Sequence, residues 1–209
     1  MKAMVFAAGL GTRLRPYTND RPKALVEVQG KTLLEIVLRR LQSFGVQQVV
    51  VNVHHYADQV EKHLHDNENF GLTIRISDER DLLLDTGGGL LKAKRYFMDA
   101  PFLIHNVDIL SDLDLHTLYQ QHLYDPCLGT RDVRQRSTSR YLEFDQKGRL
   151  SGWVNKRTDE RKISRKAKTV EEWAYRGMGG STPRSSLISP PIKRCSRLWR
   201  SGWKLPSME

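Results

Sequence analysis

Gly9, Gly11, Arg13, Arg15 and Lys23 fall within one short run, Met4–Ala24. The run begins as an apolar strand and turns into small residues and cations. Two glycines spaced by one residue open backbone conformations closed to other residues. Several N–H groups can then converge on one anion. The three cations add fixed positive charge, and Pro16 and Pro22 stiffen the loop. This chemistry grips a polyphosphate. Two further stretches could join it. Asn106-Val107-Asp108 follows an apolar strand and puts a carboxylate at its end. Leu84-Asp-Thr-Gly-Gly-Gly-Leu90 opens a helix, where Gly87 and Gly88 let backbone approach a flat ring.

Three Gly-rich phosphate loops compete for the first run. A P-loop needs a glycine five residues before Gly30-Lys31-Thr32, and Leu25 stands there. A dinucleotide fingerprint fits Gly9-Leu10-Gly11, but its third glycine position holds Leu14, and Pro16 and Pro22 resist an immediate helix. The third option is carried by a resemblance. Gly9, Gly11, Thr12, Arg13, Pro16, Thr18, Pro22 and Lys23 match, in order, the G-x-G-T-R, P-x-T and P-K signature of sugar-1-phosphate nucleotidyltransferases. Asp85-Thr-Gly-Gly-Gly89, Asn52-Val-His-His55, Ser77-Asp-Glu79 and His105-Asn-Val-Asp108 resemble the branch of N-acetylmuramic acid 1-phosphate uridylyltransferases and mannose-1-phosphate guanylyltransferase-like enzymes.

The resemblance implies transfer of a nucleotidyl group from a nucleoside triphosphate to a sugar 1-phosphate, releasing pyrophosphate. It implies a Rossmann-like α/β three-layer sandwich with a mostly parallel sheet, of the nucleotide-diphospho-sugar transferase type. Ala8, Gly9, Leu10, Gly11, Thr12, Gly87, Gly88 and Asn106 become nucleotide contacts, with Gly87 and Gly88 at the base. Arg13 and Lys23 become the catalytic cations, Asp108 the ligand of an essential Mg²⁺, and Asn155 and Lys156 the sugar contacts. A single carboxylate suits magnesium, which takes one or two carboxylates plus phosphate oxygens and water. Asp112 and Asp114 read as helix caps, and His54 and His55 as hydrogen-bonded structure rather than metal ligands. The family supplies a second metal-binding Asp from its C-terminal part, and no equivalent is evident here. The alternative function is therefore a catalytically impaired nucleotide-binding or regulatory module.

The elements that must position these groups follow from hydrophobic period. Lys2–Ala8, Gln48–Val53, Leu72–Ile76 and Phe102–Asn106 read as strands, and Ala24–Val28 as a short extended piece. Helices are expected from Leu33 to a stop at Gly45, over Ala57–His65, over Gly87–Phe97 and over Leu115–Tyr124. Alternation of this kind builds a parallel sheet covered on both faces, with ligands at the carboxyl ends of its strands. Ser139–Asp145 and Arg149–Val154 read as a hairpin.

The 209 residues carry a net charge of +10, unevenly placed. The first 130 residues hold 14 Lys and Arg against 16 Asp and Glu; the last 79 hold 20 against 8. A catalytic domain is expected over 1–160 and a basic irregular tail over 161–209. Within the first, Pro126–Asp132 makes a poor central strand. Beyond Glu172 period is lost, Gly177–Pro191 is rich in Gly, Ser and Pro, and Trp199 and Trp203 stand among cations. A one-nucleotide shift there can spell the Gly-Ile-His of the family, so the tail from about Arg176 is expected to be a frameshift product. The gene's nucleotide sequence decides this. On that reading the basic tail implies no nucleic-acid partner. Cys127 and Cys195 are too few for a disulfide framework or a zinc site. No apolar run reaches a membrane span and no signal segment is evident, so a cytoplasmic protein is expected.

Overall fold

A computed structural model describes residues 1–97, 100–124 and 127–183, and the strand backbone of Ser196–Arg200. Packing divides the chain into two compact units, Met1–Asp112 and Leu113–Glu209, so the boundary expected at 160 falls within the second. Among the described residues no helix is long and apolar enough to cross a membrane.

The first unit runs β1 (Lys2–Phe6), β2 (Glu27–Val28), β3 (Lys31–Thr32), α1 (Leu33–Ser43), β4 (Gln48–Val53), α2 (Ala57–Asp66), β5 (Thr73–Asp78), α3 (Asp85–Ala93) and β6 (Phe102–Asn106). β1 pairs in parallel with β4 on one side and β6 on the other, and β5 adds to β4. Met4 stands opposite both Val50 and Ile104. Successive residues of a strand face opposite ways. Met4, Val50, Phe102 and Ile104 pack with Ala93 and Phe97 of the α3 region, and the Phe97 and Phe102 rings stack 3.8 Å apart. Ala3, Val5, Val49, Val51 and Leu103, on the other face, are buried as well. Both faces are thus covered, which is why these strands read as continuous apolar runs.

The strand order β6-β1-β4-β5 places a topological switch point between β1 and β6. Chain progression goes outward from β1 through β4 to β5, then returns to the far side of β1. Open α/β sheets bind ligands in the crevice at the carboxyl ends of such a strand pair. The glycine loop leaves β1 at that end, and Asp108 follows β6.

Helix boundaries have local causes. Thr32 caps α1, its Oγ1 accepting the Glu35 N–H at 3.1 Å. The helix stops at Gly45, with φ 79°, where the N–H groups of Gly45 and Val46 reach back to the carbonyls of Gln42 and Leu41. Two expectations need correction. The segment after Pro22 is not extended throughout: Lys23–Leu25 forms a 3-10 turn, closed by the Leu25 N–H on the Pro22 carbonyl, before β2 begins. Helix α3 starts at Asp85, two residues before Gly87, and ends at Ala93, followed by a 3-10 turn at Lys94–Tyr96.

The second unit contains α4 (Leu115–Tyr124), β7 (Gly129–Arg134), β8 (Arg140–Phe144), β9 (Leu150–Asn155), β10 (Glu160–Ile163), β11 (Glu171–Ser181) and β12 (Ser196–Arg200). Asp114 caps α4, accepting from the backbone of His116 and Thr117 and from the Thr117 hydroxyl. That hydroxyl, chiefly, lowers the Asp114 pKa. The β8–β9 hairpin is present, its turn organised by Asp145, which accepts the N–H groups of Lys147 and Arg149 at 2.9 Å each.

Strands also appear where none was expected. Gly129–Arg134 is a paired strand despite its glycine and charges, because buried Asp132 meets Arg176 at 3.4 Å. The tail is not irregular through Ser181. β11 pairs with β8 at Glu171–Trp173 and with β7 from Ala174 to Ser181, across an irregularity between Tyr175 and Gly179. The backbone of β12 pairs in parallel with β7. Most of the Gly/Ser/Pro-rich stretch after Pro183, Cys195, Trp203 and the Trp199 side chain lie outside the described residues.

Candidate functional site

The turn that follows β1 is built by side chains that consume some amides and leave others free. Asn52, at the end of β4, accepts the N–H of Ala7 at 2.7 Å and of Ala8 at 3.3 Å through Oδ1. Gly11 then adopts φ 67°, and a Cβ there would lie 2.9 Å from Thr18 Cγ2 and 3.1 Å from Lys23 Cβ. No other residue fits that turn without strain. Thr18 is buried and closes the loop from inside, its hydroxyl donating to the Gly11 carbonyl at 3.0 Å. Tyr56 and Gln59 hold the loop's exit, donating to the carbonyls of Asn19 and Asp20 at 2.8 and 3.0 Å. Between these anchors the N–H groups of Gly9, Leu10 and Gly11 donate to none of the described residues. A row of unsatisfied amides beside a cation is an anion site.

A cavity of about 520 Å³ opens over this loop. Its wall includes Ala8, Gly9, Leu10, Gly11, Thr12, Arg13, Lys23, Asn106 and Asp108, so nine of the residues expected from sequence meet in one pocket. Arg13 is exposed and makes no ion pair with any described residue. Arg15 is exposed too but lies off the pocket wall. Lys23 and Asp108 form an ion pair across the pocket, both side chains mostly shielded. Asp108 can hold a cation that arrives with its own oxygen ligands. No group of three or more His, Cys, Asp or Glu among the described residues could cage an ion unaided.

The opposite wall differs from expectation in detail. Asp85 and Thr86 line the pocket there, with Leu83 beside them; Gly87 and Gly88 follow in the first turn of α3 and are not on its wall. Gly87 faces open space. Of the α3 glycines the tightest requirement falls on Gly89, whose Cβ would lie 2.6 Å from Glu79 Oε1 and 3.0 Å from Asn52 Nδ2. Asn155 and Lys156 belong to the second unit. Asn155 is buried and accepts the Arg157 N–H at 3.1 Å, and Lys156 pairs with Glu172 at 2.6 Å. His54 is a structural contact, its Nδ1 2.6 Å from the Glu79 carbonyl.

Sequence reasoning passed over Asn52 and Glu79 as site residues, although both line the pocket. The signal was present: each is a polar residue closing or following a strand that enters the same sheet end, as Asp108 does. Glu79 is fully buried.

Residues 2–158 match the nucleotidyl transferase family. The N-acetylmuramate alpha-1-phosphate uridylyltransferase of Caulobacter vibrioides is 55% identical over 108 residues, covering 51% of this chain and 45% of that protein. The UTP–glucose-1-phosphate uridylyltransferase of Synechocystis sp. is 33% identical over 184 residues, covering 81% and 47%. The chain spans about half the length of the curated relatives it matches. The crystal structure of HddC from Yersinia pseudotuberculosis complexed with GMP-PN superposes with a TM-score of 0.76 at 18% identity, over 96% of this chain and 90% of that one, a likeness of fold. Motif, pocket and family match agree, and the chain belongs to the nucleotidyl transferase family.

Proposed function

We propose that this chain transfers a nucleotidyl group from a nucleoside triphosphate to a sugar 1-phosphate. The observation that carries the reading is the row of free amides from Gly9 to Gly11, flanked by Arg13, Lys23 and Asp108 in one pocket at the switch point. Uridine is the favoured base, since both relatives named above are uridylyltransferases.

In this reading the sugar phosphate oxygen attacks the α-phosphorus. The bond from that phosphorus to the bridging oxygen breaks, and pyrophosphate leaves with the electron pair. Positioning and charge stabilisation supply the catalysis. The N–H groups of Leu10 and Gly11 hold the β- and γ-phosphates. Arg13 meets the charge that grows on the leaving group. Lys23 bridges the α-phosphate and the incoming phosphate, and leaves Asp108 to do so. Asp108 would hold Mg²⁺, which when bound screens repulsion between the two anions. Asn155 and Lys156 are the proposed sugar contacts.

The test is pyrophosphate release across UTP, GTP, CTP and dTTP against a panel of sugar 1-phosphates with and without Mg²⁺. Release with one pair supports the reading. Nucleotide binding with no release from any pair would instead support a regulatory module.

A further inference from the structure

Asn52 and Glu79 link the two walls of the pocket through hydrogen bonds that lead into Glu79 from either side. The N–H groups of Ala7 and Ala8 point at Asn52, so its oxygen must face them. Its NH₂ is thereby turned toward Glu79 and donates to Oε1 at 2.8 Å. The other carboxylate oxygen, Oε2, accepts the Leu84 N–H at 3.2 Å, one residue before α3. Donors therefore converge on Glu79 from both sides. An ionised carboxylate is acceptor-only at both oxygens, and no neutral amide is. No described cation pairs with Glu79, which is fully buried. A buried carboxylate met only by neutral donors is costly. The polarity of this chain explains its presence, because an amide of the same shape would set donor against donor at one end. The backbone of Glu79 is fixed too, its N–H donating to the Val53 carbonyl at 2.7 Å.

We propose that Asn52 and Glu79 are positioning residues: a strut of fixed polarity that ties the glycine loop to the α3 turn, so that the two walls of the pocket move as one. A ligand held by the loop is then felt at Leu84 and Asp85. That consequence for ligand binding rests on the proposed function; the strut itself does not.

Polarity supplies the test. Glu79→Gln presents an NH₂ to Asn52 or to Leu84. Asn52→Asp sets two carboxylates face to face. The double variant N52D/E79Q restores every donor–acceptor match, with the charge moved by one residue. Amide hydrogen exchange on the full chain, resolved by NMR, reads the result. In the ligand-free protein, exchange at Ala7, Ala8 and Leu84 should quicken about tenfold or more in each single variant, since each leaves a buried polar group unsatisfied. It should return toward the wild-type rate in the double variant, while Val50 in the sheet changes little throughout. A role confined to bulk and packing predicts no such rescue. Exchange unchanged in Glu79→Gln, or a double variant no slower than the faster single, overturns the strut. Inorganic tripolyphosphate then probes coupling. In the wild type it should slow exchange at Gly9–Thr12 and also at Leu84 and Asp85, and in Glu79→Gln the second effect should vanish. Slowing confined to the loop in the wild type overturns the coupling. No slowing anywhere removes the phosphate grip of the proposed function, and the ligand-free rates still decide the strut.

Discussion

Arg13 and Lys23 look alike in sequence but stand differently in the pocket. Lys23 is already paired with Asp108, whereas Arg13 has no partner among the described residues. A free guanidinium is suited to charge that appears only as the reaction proceeds. Arg13→Ala should therefore lower kcat on the order of a hundredfold while leaving nucleotide Kd within a few-fold; equal losses in both would reduce Arg13 to a ground-state contact. The glycines separate in the same way. Gly11→Ala forces a side chain into φ 67° against Thr18 and Lys23 and should destabilise the protein by about 1–3 kcal/mol. Gly87→Ala meets nothing within 4 Å, in a helix, and should stabilise by up to about 1 kcal/mol in denaturant melts. If Gly87 also faces the base, the same variant weakens nucleotide binding; unchanged affinity would withdraw that role.

At the scale of elements, β6 carries both the core and the site. Phe102 is fully buried against Phe97, and Phe102→Ala should cost about 3–5 kcal/mol by urea melts. His105 is buried on the other face of the same strand, and that burial, foremost, pushes its pKa down from 6.5 to about 4. Between those values the unfolded chain binds the extra proton and the folded one does not. Stability from this group is complete above pH 6.5 and is lost as pH falls toward 4, on the order of 3 kcal/mol in all. His105→Leu should flatten that part of the stability curve, whatever it does to stability at neutral pH; an unaltered slope would assign the acid sensitivity elsewhere. The strands of the first unit were legible because a sheet covered on both faces forces near-continuous apolar sequence. Helix α3 was misplaced by two residues because its start depends on the Glu79 carboxylate accepting the Leu84 N–H, a side-chain contact that hydrophobic period does not reveal.

Across the whole molecule, legibility falls where charge and glycine serve packing. Asp132 and Arg176 read as surface residues, yet they pair with each other from adjoining strands, the Asp132 side chain fully enclosed. Gly180 reads as loop, yet a Cβ there would lie 2.6 Å from the His122 ring, so β11 and α4 can approach only at a glycine. Neither fact can be read from composition or period, because each depends on a partner some fifty residues away. The glycine loop is the opposite case: Gly9, Gly11, Thr18 and Lys23 are neighbours in sequence and were legible as one motif, whereas Asn52, Tyr56 and Gln59, which hold the ends of the turn, were not. The measurement that bears most directly on that loop is a backbone-amide NMR titration with Mg²⁺ and UTP. The largest shifts should fall on Gly9, Leu10 and Gly11, with Asp108→Asn abolishing their dependence on Mg²⁺. Saturable binding whose shifts spare those three amides would contradict the phosphate grip.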